Sequence, residues 1–156
     1  MERHNLPRRP VINPPMRSPK EKVGGLYHFG RMMDKIRLHL RGELPDEYRP
    51  HFGLSAGLDG HLCGFLGITH DELVQQAVLG KSDAEILEWC FATRFRPNPT
   101  QRRIWNGFAR KFGWQDMASE FLEKVKLEDG LTERQDLVTA FDIIDTREGR
   151  SNTKSR

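Results

Sequence analysis

Cysteine is scarce in this chain. Cys63 and Cys90 are the only two, far apart and outside any CxxC pattern. That excludes a disulfide framework and gives no support to a zinc ribbon, leaving two reduced, packed thiols as the expectation. No apolar run approaches the length that crosses a bilayer. The first residues carry no apolar core of a secretory signal, so none is expected. Asn98-Pro99-Thr100 fails as a glycosylation acceptor because proline holds the middle position. Internal repeats and sustained period-two alternation are also missing, which argues against solenoids and sheets. A cytoplasmic protein fits these absences best.

What remains is a chain of 156 residues, 37% hydrophobic and 30% charged, the profile of one globular domain that can bury a core unaided. The net charge of +3 is unevenly spread. Residues 1–22 carry +4 and residues 147–156 carry +3, whereas residues 23–146 carry −4. The basic character belongs to the ends. A folded domain that grips nucleic acid needs a basic face of its own, and the middle of this chain is acidic.

Punctuation is helical nearly throughout. Pro7, Pro10, Pro14 and Pro15 make residues 1–16 a proline-rich basic arm expected to be disordered, and the polar residues 147–156 an equally disordered tail. Between them, residues 17–146 read as a single helical domain. Ser18-Pro19-Lys20-Glu21 has the form of a capping box, opening a short helix that Gly24-Gly25 ends. A helix from about Leu26 to Arg41 follows, with Phe29, Met32, Met33, Ile36 and Leu40 on one face. Gly42 stops it, and residues 43–57 form a loop. A short helix is expected over Asp59–Leu66. Thr69-His70-Asp71-Glu72 and Ser82-Asp83-Ala84-Glu85 are further boxes, opening helices to Gly80 and about Thr93. Asn98 caps a helix with Pro99 at its first position, ending at Gly113. Asp116 caps the next, and Thr132-Glu133-Arg134-Gln135 opens a last helix through about Asp145. The fold class is therefore all-α, a compact bundle of about seven short helices.

Several of these segments also carry a likeness. Arg17-Ser18-Pro19, Gly24-Gly25 and the Arg31, Asp34, Lys35 spacing come first in the chain. Gly80-Lys81-Ser82-Asp83, Ile86-Leu87 with Trp89, and Phe141-Asp142-Ile143-Ile144-Asp145 follow in order. The ensemble, over roughly residues 17–148, resembles domain-of-unknown-function family 5069, a group of small bacterial proteins. The resemblance implies no activity.

Two constellations could carry chemistry. On the 26–41 helix, His28, Arg31, Lys35 and His39 lie opposite the apolar face. Arg31 and Lys35 are a like-charge i,i+4 pair, mildly destabilising unless something offsets it. Asp34 could do so locally. Asp142 or Asp145 of the last helix could complete an ion-pair network, and this structural reading outweighs the sharper one. The sharper reading is a bound anion held by His28, Arg31 and Lys35, with Asp34 beside them. No G-x-x-x-x-G-K-[ST] loop supports a nucleotide.

The second constellation is residues 94–112. Arg94, Arg96, Arg102, Arg103, Arg110 and Lys111 occur there with no acid, interleaved with Trp105, Phe108 and Phe112. This could be a stacking and electrostatic stripe for RNA or DNA. It reads better as an apolar face including Ile104, with the arginines solvated. The six histidines form no metal-binding pattern, and no catalytic motif identifies an enzyme. No metal or cofactor is expected. The leading expectation is a small cytoplasmic helical binding domain with an anion site on the 26–41 helix, its partner a small anionic ligand or a protein. Its alternatives are a nucleic-acid accessory protein using residues 94–112 and the basic ends, and a small enzyme around His28, Arg31, Asp34 and Asp142.

Overall fold

A computed structural model describes residues 15–150. The described residues contain seven α-helices and one 3-10 helix, joined by turns. No strand occurs among them beyond an isolated bridge between Val23 and Leu26. The chain is all-α, as the boxes and apolar spacing require. Most of the arm and tail calls, residues 1–14 and 151–156, lie outside the described residues. Contacts group the rest into two compact units. One is Met16–Ala109; the other gathers the described residues from Arg110 onward, with Pro15.

The 16–109 unit opens on a turn, not the short helix expected there. Ser18 Oγ accepts from the Lys20 amide, and the Ser18 carbonyl from the Glu21 amide. Gly24 and Gly25 both hold positive φ, and the Val23–Leu26 bridge closes before a second helical turn could form. Helix α1 (Phe29–Leu40) follows. Phe29, Met32, Met33 and Ile36 are wholly buried, each worth about 1.5–3 kcal/mol of burial at most. Leu40, the last residue of α1 and of the same stripe, is 42% exposed. Met16, Leu38, Leu44 and Tyr48 form a satellite cluster with Phe52. Tyr48 belongs to a 3-10 helix, Asp46–His51, inside the expected loop.

Helices α2 (Leu58–Leu66), α3 (His70–Val78) and α4 (Asp83–Thr93) then pack in sequence, with α3 touching α1, α2 and α4. The boxes at Thr69 and Ser82 are both made reciprocally, each satisfying two orphan amides. Helix α5 (Pro99–Lys111) starts with Asn98 and Gln101 exchanging the same kind of bonds.

In the 110–150 unit, Asp116 turns the chain before a helix begins. It accepts from the Gly113 and Ala118 amides, so helix α6 starts later than expected, at Ser119, and runs to Glu128. Thr132 does not open the last helix. Residues 132–138 are turns, and helix α7 (Ala140–Arg147) is capped by Thr139 with Asp142 at its third position. The ordered chain continues past 147: Arg147 pairs with Asp129 at 2.9 Å, and Glu148 is buried.

Candidate functional site

The charged face of α1 is not a solvent face. His28, Arg31 and Lys35 are all buried. The residue that gathers His28 and Lys35 is Asp59, in the first turn of α2 and wholly out of water. Its Oδ1 lies 2.7 Å from His28 Nε2. Its Oδ2 lies 2.9 Å from Lys35 Nζ and accepts from the Gly53 amide at 2.9 Å. His70, at the start of α3, brings Nε2 to 3.9 Å from the same oxygen, too far for a hydrogen bond.

Local structure explains this convergence. Two turns of α1 separate His28 from Lys35, which places both on one flank of the helix. Gly53 has φ +65, and a Cβ there would lie 2.7 Å from His70 Nδ1. Only glycine allows the backbone between the 3-10 helix and α2 to lay its amide on Asp59 while His70 packs over it. Phe52 then wedges between His39, at 4.5 Å, and His70, at 4.6 Å.

Electrostatics set the protonation states. Burial would push the Asp59 carboxyl up. The Lys35 ammonium, followed by the His28 bond, outweighs burial and holds it well below the usual carboxylate range. Burial lowers His28 below its ordinary value despite Asp59, and lowers His70 likewise. Asp59 is therefore a carboxylate, which only accepts, so the neutral His28 ring donates through Nε2. Its Nδ1 then carries a lone pair, buried and without a hydrogen-bond partner among the described residues. His70 Nε2 is equally unmet. His28 also caps α1 at φ 76, where a side chain costs about 1–2 kcal/mol relative to the right-handed region. Such strain collects at functional sites because surrounding structure must hold it in place.

The other residues singled out by sequence are dispersed. Asp34 takes a bidentate bond from Arg17, and Arg17 and Arg37 both reach Asp83 at 2.7 Å. These pairs tie the opening turn and α1 to α4. Arg31 donates to the Arg17 carbonyl and lies over the Tyr48 ring. Asp142 accepts from the Val138 and Thr139 amides, and Asp145 pairs with Arg150 at 3.0 Å. Asp142 and Asp145 belong to the other unit, and their pairing with Arg31 or Lys35 remains an expectation. Among the described residues, no group of three or more His, Cys, Asp or Glu could hold a metal ion.

The 94–112 stripe divides by residue. Trp105 is buried at 3% exposure and donates from Nε1 to the Tyr27 carbonyl. Phe65 stacks on it at 5.7 Å, and Phe108, half-buried, packs at 5.8 Å. Ile104 does not join the apolar face; it is 65% exposed. Arg94, Arg96, Arg103, Arg110 and Lys111 are exposed, and Arg102 is half-buried with a bond to the Pro97 carbonyl. Arg94 bonds the Gly67 carbonyl and Arg96 pairs with Glu88. Cys63 and Cys90 are free and buried, their thiols pushed up to about 12 chiefly by desolvation, which makes them poor nucleophiles.

Sequence reasoning missed Asp59, Gly53 and His70. The signal for Asp59 was present. It is the lone charge in Leu58-Asp59-Gly60-His61-Leu62-Cys63-Gly64-Phe65-Leu66, and a carboxylate in so apolar a helix needs a buried cation from elsewhere. No helix among the described residues is long and apolar enough to cross a membrane. No curated protein matches the chain. A family model does match, over residues 13–150, and the chain accordingly belongs to the family described as Domain of unknown function (DUF5069).

Proposed function

We propose that this protein is a small cytoplasmic binding domain for a weakly acidic small molecule, taken up where His28, Lys35 and Asp59 meet at the start of α1. The observation that carries this reading is the buried His28 Nδ1, which has no hydrogen-bond partner among the described residues. Evolution rarely leaves such an atom unmet, because each one costs about 1–3 kcal/mol of lost hydration. A lone pair asks for a donor. The α1 N-terminus favours negative charge. An oxyanion that still carries a proton, such as phosphate monoanion or a protonated carboxylate of a diacid, answers both. This refines the anion site expected from His28, Arg31 and Lys35, since a neutral His28 accepts where a charged one would donate.

Thermal-shift titration with inorganic phosphate at about pH 6.5 and with hydrogen succinate at about pH 5, where each still carries a proton, tests it. A ligand selective for the folded state raises the midpoint progressively with concentration. The expected result is a saturable rise in the native chain that His28→Gln abolishes. No rise with either probe, or an equal rise in His28→Gln, overturns the reading.

The enzyme alternative draws on the same pair. A carboxylate that fixes the tautomer of a histidine and leaves the second nitrogen available is how a general base is oriented. That reading would place Asp59, rather than Asp34, beside His28.

A further inference from the structure

The 110–150 unit holds an open cavity of about 440 Å³ between the Gly113–Ser119 turn, α6 and the turns at 132–138. That volume suits a small metabolite. Lys126 lines it and is only 6% exposed. Its ammonium has three N–H donors. Two go to the carbonyls of Arg134, at 2.9 Å, and Leu137, at 3.1 Å. No carboxylate lies within ion-pair distance of it among the described residues, whereas the buried Lys35 meets Asp59 at 2.9 Å. Holding two carbonyls needs only a neutral donor. A buried positive charge beside a cavity is costly unless a negative group visits it.

The remaining walls narrow the visitor. Glu123 stands one turn before Lys126 on the same helix and lines the same cavity, so both signs of charge are offered. Trp114, about half exposed, and Leu137 and Val138 supply apolar surface. The rim is built before any ligand arrives. Gly113 donates to Asp116, Ser119 Oγ donates back to the Gly113 carbonyl, and Gln115 is held at φ 50, in the left-handed region that side chains avoid.

We propose that this cavity binds a free amino acid. Its carboxylate meets the third N–H of Lys126, its ammonium meets Glu123, and its side chain lies against Trp114. The site is independent of the Asp59 cluster and is read out separately.

Titrations followed by the Trp114 indole N–H resonance, assigned with Trp114→Phe, test the proposal. The probes are L-phenylalanine, L-leucine and L-glutamine, with phenylalanine amide and N-acetylphenylalanine as controls. At least one free amino acid should shift the resonance saturably below about 10 mM. Its amide, lacking the carboxylate, should bind at least about tenfold more weakly, the loss expected of one charge-assisted bond. Lys126→Met should abolish the shift. Because that change also strips two carbonyls of their donor, Glu123→Gln provides a variant at an exposed position. It should weaken the free amino acid and leave the N-acetyl compound unchanged. No saturable shift with any free amino acid overturns the proposal. So does equal binding of acid and amide, or unaltered binding in Glu123→Gln.

Discussion

Lys35 Nζ stands 2.9 Å from Asp59 Oδ2, and neither side chain keeps more than about a twentieth of its surface in water. Taking both charges out of water is expensive, and their mutual attraction and the bonds from His28 and Gly53 help to offset it. Removing one partner should therefore hurt more than removing both. Asp59→Ala should cost about 3–5 kcal/mol, read as a fall in the urea midpoint. The double variant Asp59→Leu with Lys35→Met should recover a good part of that loss. A double variant less stable than Asp59→Ala would show that the pair contributes more than its own desolvation.

Acid should weaken the fold through the same cluster. His28 faces Asp59, Lys35 and Arg31, and His70 faces Asp59, Lys35, Asp71 and His39. Both imidazoles are lowered below the ordinary value of 6.5, chiefly by burial. The unfolded chain thus binds protons that the folded chain refuses. Stability from these groups is complete above pH 6.5 and falls as pH drops below it. Asp59, held low in the folded state, adds a further loss only below its unfolded value of 3.8. Thermal midpoints should decline between neutral pH and the range where carboxylates begin to titrate. His28→Gln, which cannot titrate, should flatten the upper part of that decline.

The backbone at position 28 offers a sharper test of strain. His28 holds φ 76, where glycine is at ease and alanine is not. Neither replacement reaches Asp59. Glycine is already the milder replacement than alanine at an N-cap, and the positive φ should widen that gap. His28→Gly should be more stable than His28→Ala by about 1 kcal/mol in denaturant unfolding. Equal midpoints would mean the position relaxes to a right-handed conformation when the imidazole is gone.

Sequence resolved the parts of this fold that local chemistry dictates. The boxes at Thr69 and Ser82 and the Asn98-Pro99 start are written in residues that bond to their own neighbours. The Phe29-Met32-Met33-Ile36 stripe follows from helical period alone. What escaped depends on partners distant in the chain. Lys35 and Asp59 are connected through two turns and a 3-10 helix, and Gly53 matters only because His70 packs over it. The charged flank of α1 was recognisable as unusual. Its burial was not, since a charged face at helical spacing normally lies in water. Ser18 and Thr132 show the reverse failure: both fit the box pattern, yet the chain turns away before a helix can grow.

That failure is measurable. Thr139 caps α7 by accepting from the Asp142 amide, while Asp142 returns a bond to the Thr139 amide. Thr132, seven positions earlier and the closer match to the box pattern, is exposed and sits in a turn. Thr139→Ala should cost about 1 kcal/mol. Thr132→Ala should change stability by no more than about 0.5 kcal/mol. Equal costs at the two sites would move the start of the last helix back toward the position that sequence suggested.

The arginine-rich stretch makes the final prediction. Stacking of bases needs an open ring face. Trp105 is buried, its indole N–H committed to Tyr27 and its ring packed against Phe65 and Phe108. Arg94, Arg96 and Arg102 are already bonded to Gly67, Glu88 and Pro97. Charge attraction alone is then left for RNA or DNA, and it should be weak, indifferent to sequence and largely gone by about 200 mM salt. Fluorescence anisotropy with a single-stranded oligonucleotide would measure it. Deleting residues 1–14 and 151–156, where basic side chains are concentrated, should remove most of any signal at low salt. Charge reversal of the exposed Arg103 and Arg110 should remove little more. Tight binding that survives both the deletion and raised salt would instead require an aromatic surface that Trp105 does not present.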